Sequence, residues 1–211
     1  MKIDKKIDNL FQLVIKMADL VTNNINESLS CYLDNKASIE IDDDVINNYE
    51  INIGEKCINI ITKERPYAKD LRIVLGILKV VSDLERLGDY AYDIIDYTKK
   101  LEVLEQCQIN EVKELVTEVL NMVNQSTHCF VNLDVEEAEQ IILEDDVIDE
   151  LFIKVISTLI NLNQEKKLSS KFVIYTTLVV KYLERIADHS TNVAEWVIYI
   201  NNGDYKGNKV S

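Results

Sequence analysis

"LERLGDYAYDI" at residues 84–94 returns as "LERIADHSTNV" at residues 183–193. Glu85 and Glu184 are 184 − 85 = 99 positions apart in a chain of 211 residues. A second phrase recurs ahead of the first. "DDDVINNYE" at 42–50 matches "EDDVIDELF" at 144–152, with Asp44 and Asp146 102 positions apart. Two phrases recurring in the same order at nearly the same offset mark an internal duplication of about half the chain.

The duplicated unit reads as helix throughout. Only 5 Gly and 1 Pro occur, and hairpins and sandwiches need both for their turns, so the composition points to an all-α chain. Apolar residues at 3, 7, 10, 14, 17, 21, 25, 29 and 32 alternate in threes and fours and predict one helix over Asp4–Leu33. Ser38 is the expected N-cap of a second, reaching about Glu64. Pro66 is expected in the first turn of a third, where its missing N–H costs nothing, and that helix should run to about Leu104. A fourth spans Asn110 to Asn132. Asp134 with Glu137 has the form of a capping box opening a short segment before a fifth helix that runs to about Glu165. Ser169 or Ser170 caps a sixth, closed by Gly203 in the left-handed conformation. Short connections make consecutive helices antiparallel. The expected fold is therefore two tandem up-down-up three-helix bundles, over residues 1–105 and 106–211.

Charge removes several functions. With 37 acidic against 23 basic residues the net charge is −14, which repels nucleic acid and anionic membrane surfaces. No glycine-rich loop exists to cradle a phosphate. The most apolar stretch, "LRIVLGILKVV" at 71–81, is too short for a membrane span and carries Arg72 and Lys79. The N-terminus has no uninterrupted apolar signal region. Cys31, Cys57, Cys107 and Cys129 form no CxxC pair and read as buried reduced thiols, so a cytoplasmic protein is expected.

Acidic rows sit inside the repeated phrases. Glu85, Asp89 and Asp93 follow one another at i, i+4 and i+8, as do Glu184, Asp188 and Asn192, with Glu195 extending the second row. Asp43, Asn47 and Glu50 make a row on the second helix, and Asp145 and Asp149 one on the fifth. Such a composition yields roughly six acid–xxx–acid pairs by chance, so a solvated acidic face is one reading. The other is a hard-cation site. Like charges at this spacing repel, few lysines stand at compensating positions, and the rows lie on two helices of each unit that should run side by side. Oxygen-only donors suit Mg²⁺, Mn²⁺, Ca²⁺ or oxidised iron and disfavour structural Zn²⁺. Neither His128 nor His189 completes a Glu-x-x-His pair, so the signature of a di-iron oxidase is missing. The two histidines also offer no Ser-His-Asp or Cys-His constellation.

These phrases, with "KERPYAKDLR" at 63–72, resemble the PhoU family nearly end to end. The resemblance implies two three-helix bundles, each with a metal-binding E(D)xxxD motif, in a non-enzymatic negative regulator of high-affinity phosphate uptake. It further implies a link between the ATPase component of a phosphate ABC transporter and a phosphate sensor histidine kinase, and a homodimer. Carried over by position, the metal residues would be Glu85, Asp89 and Asp93 faced by Asp43, Asn47 and Glu50. The second set would be Glu184, Asp188 and Asn192 faced by Asp145 and Asp149, holding Mg, Mn or Fe. Asn47, Phe152 (opposite Glu50 in the repeat) and Ala187 (opposite Gly88) depart from the pattern and predict two unequal sites. A metal-dependent enzyme or metal store on a helical bundle is the alternative, and an adaptor with plain acidic faces a third reading.

Overall fold

A computed structural model describes residues 3–34, 41, 43–101, 109–206 and 208–209, apart from the side chains of Asp43, Asp204, Asn208 and Lys209. Within them run six helices: α1 (Ile3–Asp34), α2 (Asp43–Glu64), α3 (Ala68–Lys100), α4 (Asn110–Asn132), α5 (Val135–Gln164) and α6 (Ser170–Asn202). The predicted stripe on α1 is the buried one. Ile7, Leu10, Val14, Met17, Val21, Ile25 and Leu29 all enter the core, each worth about 1.5–3 kcal/mol of transfer free energy.

The helices pack as two threes. α1, α2 and α3 contact one another, as do α4, α5 and α6, and the two bundles join along α3 with α6 and α1 with α4. Phe11 stacks on Phe130 across the α1–α4 seam with ring centroids 5.6 Å apart. The α3–α6 seam closes tightly where Gly76 meets Ile200, since any Cβ at Gly76 would overlap that side chain. Within the first bundle, Gly88 admits Ile46 of α2, whose Cδ1 lies 2.6 Å from where a Cβ would stand.

The helix ends depart from the sequence reading in places. Pro66 stands ahead of α3, which starts at Ala68 behind Tyr67 as N-cap. Asp134 does cap α5 by accepting from Glu137 N–H at 3.1 Å. No short segment follows, because the apolar positions Ala138, Ile141 and Ile148 continue through it without a breaker and α5 is one helix of 30 residues. The Glu137 carboxylate turns to His128 Nδ1 at 2.7 Å and does not reach back to the cap. Ser169 is the residue that caps α6, accepting from Phe172 N–H, and Gly203 ends it at φ +81°. A two-residue antiparallel pairing, Asp204–Tyr205 with Asn208–Lys209, adds a small strand element that helical periodicity could not foresee. Ser38, Leu104 and Cys107 lie outside the described residues. Cys31, Cys57 and Cys129 are buried, and burial pushes the thiols of Cys57 and Cys129 up to about 12. No described helix is long and apolar enough to cross a membrane.

Candidate functional site

The two acidic rows run along α3 and α6, each beside its α2 or α5 partner, and they are not alike. In the second bundle, Asp188 of α6 feels Glu184 on its own helix and Asp145 and Asp149 of α5. Asp145 in turn feels Asp149, Asp146 and Glu184. Burial is the first cause lifting both Asp145 and Asp188 above the usual carboxylate range, and the neighbouring acids add to it. A hydrogen bond from Thr191 Oγ1 to Asp145 Oδ1 at 3.3 Å works against that rise. Four carboxylates from two helices thus share one patch.

In the first bundle an arginine intervenes. Arg86 reaches Glu85 at 3.5 Å and Asp89 at 3.0 Å, tying the row to itself. Asn47 and Glu50 are half-buried on α2, and the Asp43 side chain lies outside the described residues. A counter-cation also serves the second row. Lys181 lies on Glu184 at 2.5 Å and over the ring of Phe152, so compensating bases exist that the acid spacing alone did not suggest.

The third member of each row leaves its stripe. Eight residues advance a helix by two turns and about 80°, which carries Asp93 and Asn192 round toward the opposite bundle. Asp93 receives the hydroxyl of Tyr182 on α6. Asn192 Nδ2 donates to Asp83 on α3 at 3.3 Å. Glu195 is drawn away too, to Lys206 at 3.4 Å, while burial raises its carboxyl.

Asp83 and Tyr182 are the residues that sequence reasoning passed over. They occupy corresponding positions, 182 − 83 = 99 apart, yet differ in chemistry. Asp83 gathers His189 Nδ1 at 2.7 Å, Trp196 Nε1 at 3.1 Å and Asn192. On the Tyr182 side the seam opens into a cleft of about 550 Å³ lined by Arg86, Asp89, Tyr90, Tyr92, Asp93, Tyr182 and Arg185. Aligning the two repeats would have exposed the Asp83/Tyr182 mismatch, but not what each residue touches.

The donor chemistry of the α5–α6 patch fits a hard cation: oxygen ligands only, mutually repelling, from two helices. The α3 row fits less well as placed, since Arg86 already neutralises two of its acids and Asp93 serves Tyr182. Among the described residues, no three His, Cys, Asp or Glu side chains converge closely enough to hold a metal ion. Ligation by the described side chains alone therefore requires their rearrangement.

The family model described as the PhoU domain matches twice, at residues 14–98 and 112–197, one copy on each bundle. The chain belongs to the PhoU family. It is 35% identical to a phosphate-specific transport system accessory protein PhoU homolog of Aquifex aeolicus, covering 97% of this chain and 95% of the relative. The homolog of Clostridium acetobutylicum is 31% identical over 95% of this chain and 94% of its own length. Among solved structures, the crystal structure of PhoU from Pseudomonas aeruginosa aligns with a TM-score of 0.91 at 28% identity, over 96% of this chain and all of that one (100%). The phosphate transport system regulatory protein PhoU of Streptococcus pneumoniae aligns at 0.88 and 23% identity, covering 96% and 98%, a likeness of fold. The duplicated all-α architecture read from the repeated phrases is thus the architecture of this family.

Proposed function

We propose that this PhoU-family chain is a non-enzymatic accessory protein of phosphate transport. It acts in the cytoplasm as a negative regulator of phosphate uptake and of the phosphate-starvation response. Its partners are the ATPase component of a phosphate ABC transporter and a phosphate sensor histidine kinase. The observation that carries this reading is the end-to-end similarity, at 31–35% identity, to relatives named for the phosphate-specific transport system. The long continuous helices and the glycine-poor sequence support a docking role over a catalytic one.

Hard metal ions belong to the same proposal. Asp145, Asp149, Glu184 and Asp188 would hold one, and Glu85 and Asp89 with the α2 residues Asp43, Asn47 and Glu50 would form the second, unequal site. A bound cation would supply charge neutralisation that fixes the helix pairs against each other. Lys181 and Arg86 hold the leading glutamates of the rows and would have to yield them to a cation.

Two measurements test this. Elemental analysis of protein purified without chelator should find stoichiometric metal, lost in the Asp89→Asn/Asp188→Asn double variant. In phosphate-replete cells the same variant, at normal protein levels, should derepress phosphate-starvation genes. Unchanged repression would sink the regulatory role of the rows, and a metal-free wild type after soaking in Mn²⁺, Mg²⁺ and Fe³⁺ would sink the metal.

A further inference from the structure

Solitary exposed isoleucines are ordinary on protein surfaces. Here they recur. Ile51 and Ile58 on α2 are 60% and 59% exposed, and Ile153 and Ile160 on α5 are 63% and 50% exposed. Both pairs are related by the duplication, 153 − 51 = 160 − 58 = 102, the offset that relates Asp44 to Asp146. Spacing of i, i+7 puts the two isoleucines of each pair on one stripe of their helix. A third exposed pair, Val45 at 40% and Val147 at 50%, keeps the same offset about 120° round each helix from that stripe.

What makes the recurrence informative is what changed around it. From residue 47 to residue 57 the only identity between the copies is Ile51 with Ile153. Two buried positions in that stretch differ, Ile53 against Val155 and Cys57 against Leu159, whereas the buried Ile46 and Ile148 just ahead of it are the same. Solvent exposure alone does not hold a residue in place, yet the exposed isoleucines stayed the same where two of their buried neighbours changed.

Gly54 is an independent sign on the α2 stripe. It lies between Ile51 and Ile58 in mid-helix, where glycine is the poorest choice after proline. A Cβ there would meet nothing within 4 Å, so nothing inside the protein requires its absence. A partner can approach the α2 stripe more closely there than the α5 stripe, where the corresponding residue is Ile156.

Charge chooses among occupants. Asp44 and Glu55 border the α2 stripe, and Asp146, Asp149 and Glu150 border the α5 stripe, on a chain of net charge −14. Two copies of this chain meeting through these faces would set acid against acid, so a second copy fits poorly. We infer that the outer faces of α2 and α5 are a duplicated docking surface for a two-fold-symmetric protein partner. Each half of that partner offers one stripe an apolar element rimmed by basic residues. Two such contacts made at once are far tighter than either alone. The inference rests on the accessory reading for its partner, the paired ATPase component of the transporter.

The test measures affinity of the purified ATPase component for the full-length chain. The variants are Ile51→Ser/Ile58→Ser, Ile153→Ser/Ile160→Ser, their combination, Gly54→Gln, and Val131→Ser as an exposed control on α4. The Tm should be unchanged in the serine variants and unchanged or higher in Gly54→Gln. Each double variant and Gly54→Gln should weaken binding about tenfold or more, the combination should abolish it, and Val131→Ser should leave it intact. Wild-type binding retained by every variant overturns the docking surface while leaving the accessory reading standing. Isoleucine-dependent self-association in sedimentation, with ATPase binding unaffected, overturns it in favour of a second copy. No binding by the wild type refutes the ATPase link and takes this occupant with it.

Discussion

Tyr90 and His189 meet across the α3–α6 seam, with the tyrosine hydroxyl 3.3 Å from Nε2. They are 99 positions apart, the spacing of the duplication, so the contact joins two corresponding residues and lies where the pseudo-two-fold axis of the molecule passes. His189 gives its Nδ1–H to Asp83, which leaves Nε2 to accept from the Tyr90 hydroxyl. Around this axis the two sides are built differently: a filled polar hub at Asp83, and an open cleft on the side of Tyr182.

The hub should carry stability out of proportion to its size. The Asp83 side chain is 13% exposed and satisfies donors from His189, Asn192 and Trp196. Asp83→Ala strands all three, at a cost of about 2–4 kcal/mol. Because Trp196 is the only tryptophan, its emission reports the loss directly. Urea unfolding followed by that emission should show a lower midpoint with little change in slope. An unchanged midpoint would mean that water replaces the carboxylate at no net cost.

The two packed glycines should respond unequally to alanine. At Gly76 the new methyl overlaps the buried Ile200 close to its branch point, and overpacking there costs about 2–3 kcal/mol. At Gly88 the obstacle is the flexible end of Ile46, 2.6 Å away, and the gain in helix propensity offsets most of the strain. Gly88→Ala should therefore stay within about 1 kcal/mol of wild type. The natural Ala187 at the corresponding place in the second copy points the same way. Thermal denaturation of the two variants side by side decides it, and equal losses would contradict the argument.

Those glycines show where the sequence stops being legible. The stripe from Ile7 to Leu29 is a property of one helix and could be read from periodicity, as could the Ser169 and Gly203 caps. That Gly76 faces Ile200 depends on the register between helices of different bundles, which no local pattern encodes. The acidic rows illustrate the same limit. Spacing placed Asp93 and Asn192 in line with their rows, but the 3.6-residue turn rotates them onto the opposite bundle. Arg86 and Lys181, three positions ahead of Asp89 and Glu184, are the counter-ions that temper the rows.

The C-terminal turn should be a measurable cover for the seam. Tyr205 stacks on Trp196 with centroids 4.1 Å apart and an interplanar angle of 16°. Tyr205→Ala removes a pair worth about 0.5–1.5 kcal/mol and lets water reach the indole. The expected result is red-shifted emission with a slightly lower Tm. Emission unchanged from wild type would show that the indole is shielded by other groups.

Acidity should distinguish a repelling carboxylate patch from an inert one. Asp145 and Asp188 have folded pKa values raised by burial first and then by neighbouring acids. A carboxyl raised in this way binds more protons folded than unfolded in the window between its ordinary and raised values. Stability accordingly falls as pH rises through that window, and the deficit persists at neutral pH. Asp188→Asn should thus stabilise the metal-free chain at pH 7, by a few tenths of a kcal/mol for each like-charge neighbour relieved. The advantage should shrink as pH falls through that window and be gone below the ordinary aspartate value of about 4, because the folded wild-type carboxyl takes up its proton first. Hard cation reverses the ranking, because only the intact patch gains ligand binding free energy on folding. The experiment is Tm against pH for wild type and Asp188→Asn, with chelator and again with Mn²⁺. A variant less stable than wild type in chelator would show that Asp188 is held by favourable contacts, and the patch would lose its claim to want a cation.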